Sequence, residues 1–271
     1  GGPEIVYGSD ADARFVFRAI DSDNEAATRR AESIAAKLVD FVADARLALE
    51  LDLNLRPEGK NGPNVRSLDS YGAYYERWAL TWEAQALLRA APVAGSPGLL
   101  DDFMMVVDRV RYADDLPESE LREVRRIKAR VESERLPQGA DPKRHLKLGR
   151  GSLSDVEWTL QLLQLEHGAT VRALRTPSTL VGLEAAVEAG LLSEDDRVKL
   201  SEAWVLASRI RSAMTLWSVR SSDVLPTDVR DLDGIARLLD YPRGSASALE
   251  ELYLSTTRRS RAVVERVFYK V

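Results

Sequence analysis

The sequence predicts an α+β chain in which a short strand, helix and strand arrangement precedes a long all-α bundle. Three observations carry this. Apolar and polar residues alternate in two N-terminal runs, "ADARFVF" at 11–17 and "LALELDLNLRP" at 47–57. Between them, over 24–46, Ala27, Ala31, Ile34, Ala35, Leu38 and Phe41 form one stripe at helical spacing. From about Leu99 onward, helical spacing persists and no convincing strand recurs. The change of pattern places a domain boundary near residue 110, giving 1–110 and 111–271.

The elements follow in order. After the second strand, "RPEGKNGPN" gathers Pro, Gly and polar residues into a loop. "SLDSYGAYYERWALTWEAQALLRA" reads as one helix that starts at Ser67 or Asp69 and stops before Pro92. Further helices are expected over 99–111, 118–135, 152–167, 177–190, 193–219, 228–240 and 245–269. The 193–219 segment is the plainest: Ser193 caps it, "EDD" sits at the positive end of its dipole, and Val198, Trp204, Ala207, Ile210 and Met214 recur along one face.

Composition narrows the function. The 271 residues are 45% apolar, as a globular core requires, and 43 acids against 38 bases leave a net charge of −5. That balance excludes a general affinity for nucleic acid or anionic membranes. The absence of cysteine removes thiol chemistry and fits a reducing compartment, so the cytoplasm is the expected location. No apolar run reaches the roughly 20 residues of a membrane span, and the N-terminus has no signal-peptide pattern. The chain opens without Met inside a Gly-rich turn, which reads as a portion of something longer.

The chemistry concentrates in "GGPEIVYGSDADARFVF" at 1–17. In a strand, Asp10, Asp12, Arg14 and Val16 share one face and Ala11, Ala13, Phe15 and Phe17 the other. Carboxylates on a strand cannot be buried unpaired, and a divalent metal answers them, since Mg²⁺ takes one or two carboxylates plus phosphate oxygens. Ser9 and the preceding turn offer donors to a terminal phosphate. A lone D-x-D is equally what a turn residue followed by an exposed strand acid produces. The second strand adds Asp52 to the polar face opposite Leu51, Leu53 and Leu55. Paired beside the first strand, it makes a three-carboxylate cluster that calls for metal or protonation.

"GGPEIVYGSDAD", "LDLNLRPEGKNGP", "WEAQALLRAAPVAG" and "KLGRGSLSDVEWTLQLLQLEHG", in this order, closely resemble the glutamine synthetase adenylyltransferase family, and specifically one catalytic half of that bifunctional enzyme. The resemblance spans nearly the whole chain. It implies a polymerase-beta-type nucleotidyltransferase domain followed by a helical domain. It implies that Asp10 and Asp12 are the metal-binding pair, that Asp52 of the D-x-x-L-R-P segment is the third acid, and that Gly1, Gly2 and Ser9 form the phosphate-binding turn. ATP would be the substrate, with two Mg²⁺ ions, and AMP would pass to a tyrosine hydroxyl of glutamine synthetase with release of pyrophosphate. The PII signalling protein would be a partner of the full-length enzyme. "TRRSRAVVERVF" resembles the end of the C-terminal, adenylylating half. The other half removes AMP by phosphorolysis, and a non-catalytic interaction module is a third reading. Arg14 departs from a position usually apolar, Asn54 from one usually Arg, and Ser152 from one usually Gly. Arg14 is expected to pair with the acidic face, which would weaken metal binding or neutralise a substrate phosphate.

The remaining candidates have two readings each. Arg56 either grips ATP phosphates with its planar fork or holds its own loop by an ion pair. Lys147 and Arg150, in the Gly-rich loop before "SLSDVEW", either contact an anion or lie beside a loop whose Ser152 or Ser154 caps the next helix. Glu83, Gln85 and Arg89 read as structural contacts, and His145 and His167 match no triad or metal spacing. "ESELREVRRIKARVESER" reads as a solvated helix face or a docking surface for glutamine synthetase.

Overall fold

A computed structural model describes residues 4–5, 7, 9–20, 23–43, 50–218 and 222–270. The chain forms two compact units, Gly1–Asp114 and Asp115–Val271.

The first unit runs β1 (Ala11–Asp12), β2 (Phe15–Phe17), α1 (Asn24–Val42), β3 (Leu51–Asp52), β4 (Val65–Ser67), α2 (Leu68–Trp78), α3 (Thr81–Leu87) and α4 (Pro97–Arg111). The expected 11–17 strand is divided: β1 pairs in parallel with β3, and β2 pairs in parallel with β4. β4 falls where the sequence reading placed the end of a loop, because three residues including Arg66 and Ser67 carry no period of their own. α1 lies against β2 and β4. Its expected apolar stripe is only partly buried: Ala35 is enclosed, whereas Ile34, Leu38 and Phe41 are exposed. The small alanine allows the close approach to the strands, while the larger residues at i, i+4 and i+7 face another way.

The single helix expected over 67–90 is broken. Ala79 and Leu80 adopt extended ψ angles of 125° and 153°, and the Glu83 carboxylate accepts the Leu80 N–H at 3.0 Å, which starts α3 afresh. The break lets α2 and α3 each pack on α4. Tyr71, Tyr75, Leu87 and Val107 make the core, with Val16 of β2 packed against it. Arg111, buried at the end of α4, donates to the Leu87 and Ala90 carbonyls at 2.9 and 3.0 Å and so caps the end of α3.

The second unit is α5 (Glu118–Glu134), α6 (Leu153–His167), α7 (Thr179–Glu188), α8 (Glu194–Ser218), α9 (Val229–Leu238) and α10 (Ala246–Val264), the last extended by a π-helical turn, Glu265–Tyr269. Among the described residues it holds no strand, only a bridge between His145 and Val224. α6 is the central helix, packed on α5, α7, α8 and α10. Ser193 caps α8 as expected, accepting the Asp196 N–H at 3.1 Å, and Trp204, Ala207, Ile210 and Met214 are buried, while Val198 is not.

The mixed-charge helix α5 is not a purely solvated face. Lys128 is fully enclosed, and its ammonium meets Asp155 of α6 at 2.5 Å and Glu132 at 2.8 Å. Asp155 also accepts from Arg261 at 2.9 Å and from the Gly151 N–H at 2.6 Å. Each buried charge is thereby matched. Removing one partner strands the others: Asp155→Ala is expected to cost about 3–5 kcal/mol in urea unfolding. Lys128→Met with Asp155→Leu should recover most of that loss.

Candidate functional site

The parallel register of β1 and β3 places Ala11 opposite Leu51 and Asp12 opposite Asp52. Residues paired in a parallel ladder project to the same face, so two carboxylates stand side by side on neighbouring strands, Asp52 half-buried and Asp12 exposed. Ala11 N–H donates to the Glu50 carbonyl and Ala13 N–H to that of Asp52, both at 2.8 Å, which closes the short ladder. Asp10 is exposed just before β1, and Ser9 half-buried beside it. Gly1 and Gly2 lie outside the described residues. The expected three-acid cluster is not assembled: among the described residues, no group of three or more His, Cys, Asp or Glu side chains could hold a metal. Asp52 Oδ1 accepts the Asn54 N–H at 2.7 Å, so part of its carboxylate is turned toward its own backbone. The Asp12 and Asp52 pair, of hard oxygen donors on one face, fits a hard cation such as Mg²⁺ that completes its shell with water and phosphate oxygens.

Two arginines shape the chain that follows Asp52. Arg56 is buried, and its guanidinium donates to the carbonyls of Gly62 at 2.8 Å, Leu53 at 2.7 Å and Lys60 at 3.2 Å. The sequence reading offered it to ATP phosphates or to an ion pair; in this structure it holds its loop through backbone carbonyls. Arg14 is half-buried, and its Nε, at 2.9 Å, and its Nη2 both donate to the Leu55 carbonyl. Arg66 of β4 binds Glu58 at 2.8 Å and lies over the Tyr74 ring. Burial pushes the Tyr71 hydroxyl up, with Arg14, Arg66 and Arg56 opposing it.

In "WEAQALLR", Glu83 is buried and accepts from Tyr74 OH at 3.1 Å, and Arg89 binds Glu4 at 3.0 Å. Arg89 thereby ties α3 to the segment that precedes Ser9.

The loop before α6 belongs to the second unit. Lys147 is exposed; its N–H donates to His145 Nδ1 at 3.3 Å and its carbonyl accepts the Ser154 N–H at 2.9 Å. Arg150 is exposed at a cavity of about 480 Å³, whose lining includes Ala129, Leu136, Leu148, Arg261 and Tyr269. The serines do not cap α6 as expected. Ser152 Oγ donates to the Leu146 carbonyl and accepts from Tyr253 OH, and Ser154 Oγ is buried with no hydrogen-bond partner among the described residues. Asp155, in the first turn, instead accepts the N–H of Gly151, just ahead of the helix. Gly151 has φ +73°, and a Cβ there would stand 1.9 Å from the Thr257 carbonyl oxygen, so only glycine fits. Burial would raise the Glu132 carboxyl, but Lys128, Tyr269 and Arg261 overcome it and hold it at about 2. No signal of spacing could reveal this group, because Arg261 and Asp155 lie far apart in sequence.

His145 is buried, and its Nδ1 also accepts the Leu148 N–H at 3.0 Å. Burial lowers its pKa, with Lys147 and Arg211 adding to the effect and Asp223 opposing it. The unfolded chain then binds the proton more readily than the folded one, so stability is complete above about pH 6.5 and falls as pH drops below it. Thermal unfolding between pH 7.5 and 5 should show this loss, and His145→Asn should diminish it. In urea, Arg56→Ala should cost about 1–3 kcal/mol, the penalty for carbonyls left without donors.

Residues 1–105 match the family model described as glutamate-ammonia ligase adenylyltransferase, and residues 123–271 match that of the GlnD PII-uridylyltransferase. A bifunctional glutamine synthetase adenylyltransferase/adenylyl-removing enzyme of Leifsonia xyli is 60% identical over 269 residues, and those of Streptomyces coelicolor and Mycobacterium avium are 50% and 48% identical. Each alignment covers 99% of this chain and 27% of the relative, so the chain spans about a quarter of the length of these proteins. With high identity along nearly its whole length and the adenylyltransferase model on its strand-bearing part, the chain belongs to the glutamine synthetase adenylyltransferase/adenylyl-removing family.

Proposed function

We propose that this chain transfers AMP from ATP to a tyrosine hydroxyl of glutamine synthetase, releasing pyrophosphate, and that the first unit is a nucleotidyltransferase of the polymerase-beta type. The observation that carries this reading is the register of Asp12 beside Asp52, one turn of chain from Asp10 and Ser9, in a member of this family. Mg²⁺, held by Asp12 and Asp52 with Asp10 close by in the chain, would supply neutralisation of the triphosphate and a lowered pKa for the attacking hydroxyl, and a second ion would join it through the phosphate oxygens.

The chain's own residues do the rest. Ser9, with Gly1 and Gly2, binds the terminal phosphates. Asp52, on the strand beside Asp12, accepts the phenolic proton, which at a pKa near 10 is mostly retained at neutral pH. The phenol oxygen forms its bond to the α-phosphorus as the bond to the bridging oxygen breaks, and pyrophosphate leaves with that electron pair. Arg56 keeps the D-x-x-L-R-P loop in shape rather than touching phosphate. Lys147 and Arg150 serve an anion on the second unit. The PII signalling protein is a partner of the longer enzyme.

Labelled ATP, Mg²⁺ and glutamine synthetase test this directly. Wild-type chain is expected to label glutamine synthetase, and Asp10→Asn and Asp52→Asn to lower the rate by at least about 10²-fold. Label lost from adenylylated glutamine synthetase in orthophosphate, without transfer from ATP, would assign the removing activity instead. Neither reaction in a longer polypeptide that includes the upstream sequence would leave an interaction module.

A further inference from the structure

We infer that Arg14 is a positioning residue for the carboxylate site: by binding the Leu55 carbonyl with two donors, it holds the loop after Asp52 against the strand that carries Asp12. The inference rests on the reading of Asp12 and Asp52 as the cation-binding acids.

Three observations meet at this residue. The ladder between β1 and β3 is only two residues long, with Asp12 opposite Asp52. Ladder bonds this few fix register weakly, and like charges side by side act against it. Arg14 stands immediately past that ladder, in the gap where the strand leaves β3 and joins β4. Its fork closes on Leu55, three residues beyond Asp52, through Nε at 2.9 Å and through Nη2. Meanwhile Arg56 holds the same loop from within through Leu53, Lys60 and Gly62. The face on which Arg14 sits changes character there: Asp12 before it is exposed, and Val16 after it packs on the aromatic core. Half-buried at that border, Arg14 places two donors on one loop carbonyl and so secures the loop. Lysine has no fork and can make this contact only once.

Mn²⁺ binding to the chain with a non-hydrolysable ATP analogue, followed by electron paramagnetic resonance, tests this without turnover. Arg14→Met is expected to raise the Mn²⁺ Kd about tenfold, and Arg14→Lys less, as for other residues that orient metal-binding groups. The analogue's affinity in the absence of metal should stay within about twofold of wild type. An unchanged Mn²⁺ Kd in folded Arg14→Met overturns the proposal. So does weaker metal-free binding of the analogue, which would make Arg14 a phosphate contact. If Arg14→Met does not fold, an unchanged Kd in Arg14→Lys overturns it alone. Asp52→Asn is the separate control: a wild-type Kd there overturns the carboxylate site itself, however the Arg14 variants behave.

Discussion

Asp12 and Asp52 stand opposite each other across a parallel ladder, and like charges in that relation repel. The first unit is organised around tolerating this. Two-residue strands cannot hold the register on backbone bonds alone, so the chain on either side is tied down. Asn54 donates to Asp52, Arg56 gathers three carbonyls of the loop, and Arg14 reaches Leu55 from the opposing strand. The guanidiniums spend these donors on carbonyls. A guanidinium that bonds carbonyls through several donors gives the loop geometric order.

The second unit treats acidity the opposite way. Asp155 is wholly buried, and Lys128, Arg261 and the Gly151 amide satisfy it completely. Glu132 is drawn into the same group by Lys128, Arg261 and Tyr269. Four segments, α5, the loop before α6, α6 and the end of α10, are thereby joined at one point. Paired and hydrogen-bonded around a buried aspartate, these charges fix one arrangement of the helices, whereas Asp10 and Asp12 of the first unit are exposed.

This contrast explains the uneven fate of the sequence motifs. "GRGSLSDVEW" looked suited to an anion, yet Gly151 is required by the approach of the Thr257 carbonyl and Asp155 by a buried lysine. Lys147 and Arg150 alone keep exposed side chains there. In "WEAQALLR" the polar residues are likewise structural, with Glu83 starting a helix and Arg89 fastening Glu4.

The sequence by itself determined the strand-bearing first part, the all-helical second part, most helix positions and the family, because periodicity, capping residues and ordered motifs are local properties of the chain. It also grouped Asp52 with Asp10 and Asp12 on condition that the two strands pair, and the structure supplies that pairing for Asp12 and Asp52. Only the tertiary structure decided the break at Ala79 and Leu80, the third-party strand β4, the burial of Lys128 and the destination of Arg14. Three of these depend on a group distant in sequence: a strand edge to be filled, an aspartate on another helix, a carbonyl across the loop. The break is sealed locally, by Glu83 three residues past Leu80, and what lies far away is the α4 surface on which the two helices pack. Charge and backbone polarity must be satisfied wherever burial puts them, and burial is a property of the folded whole.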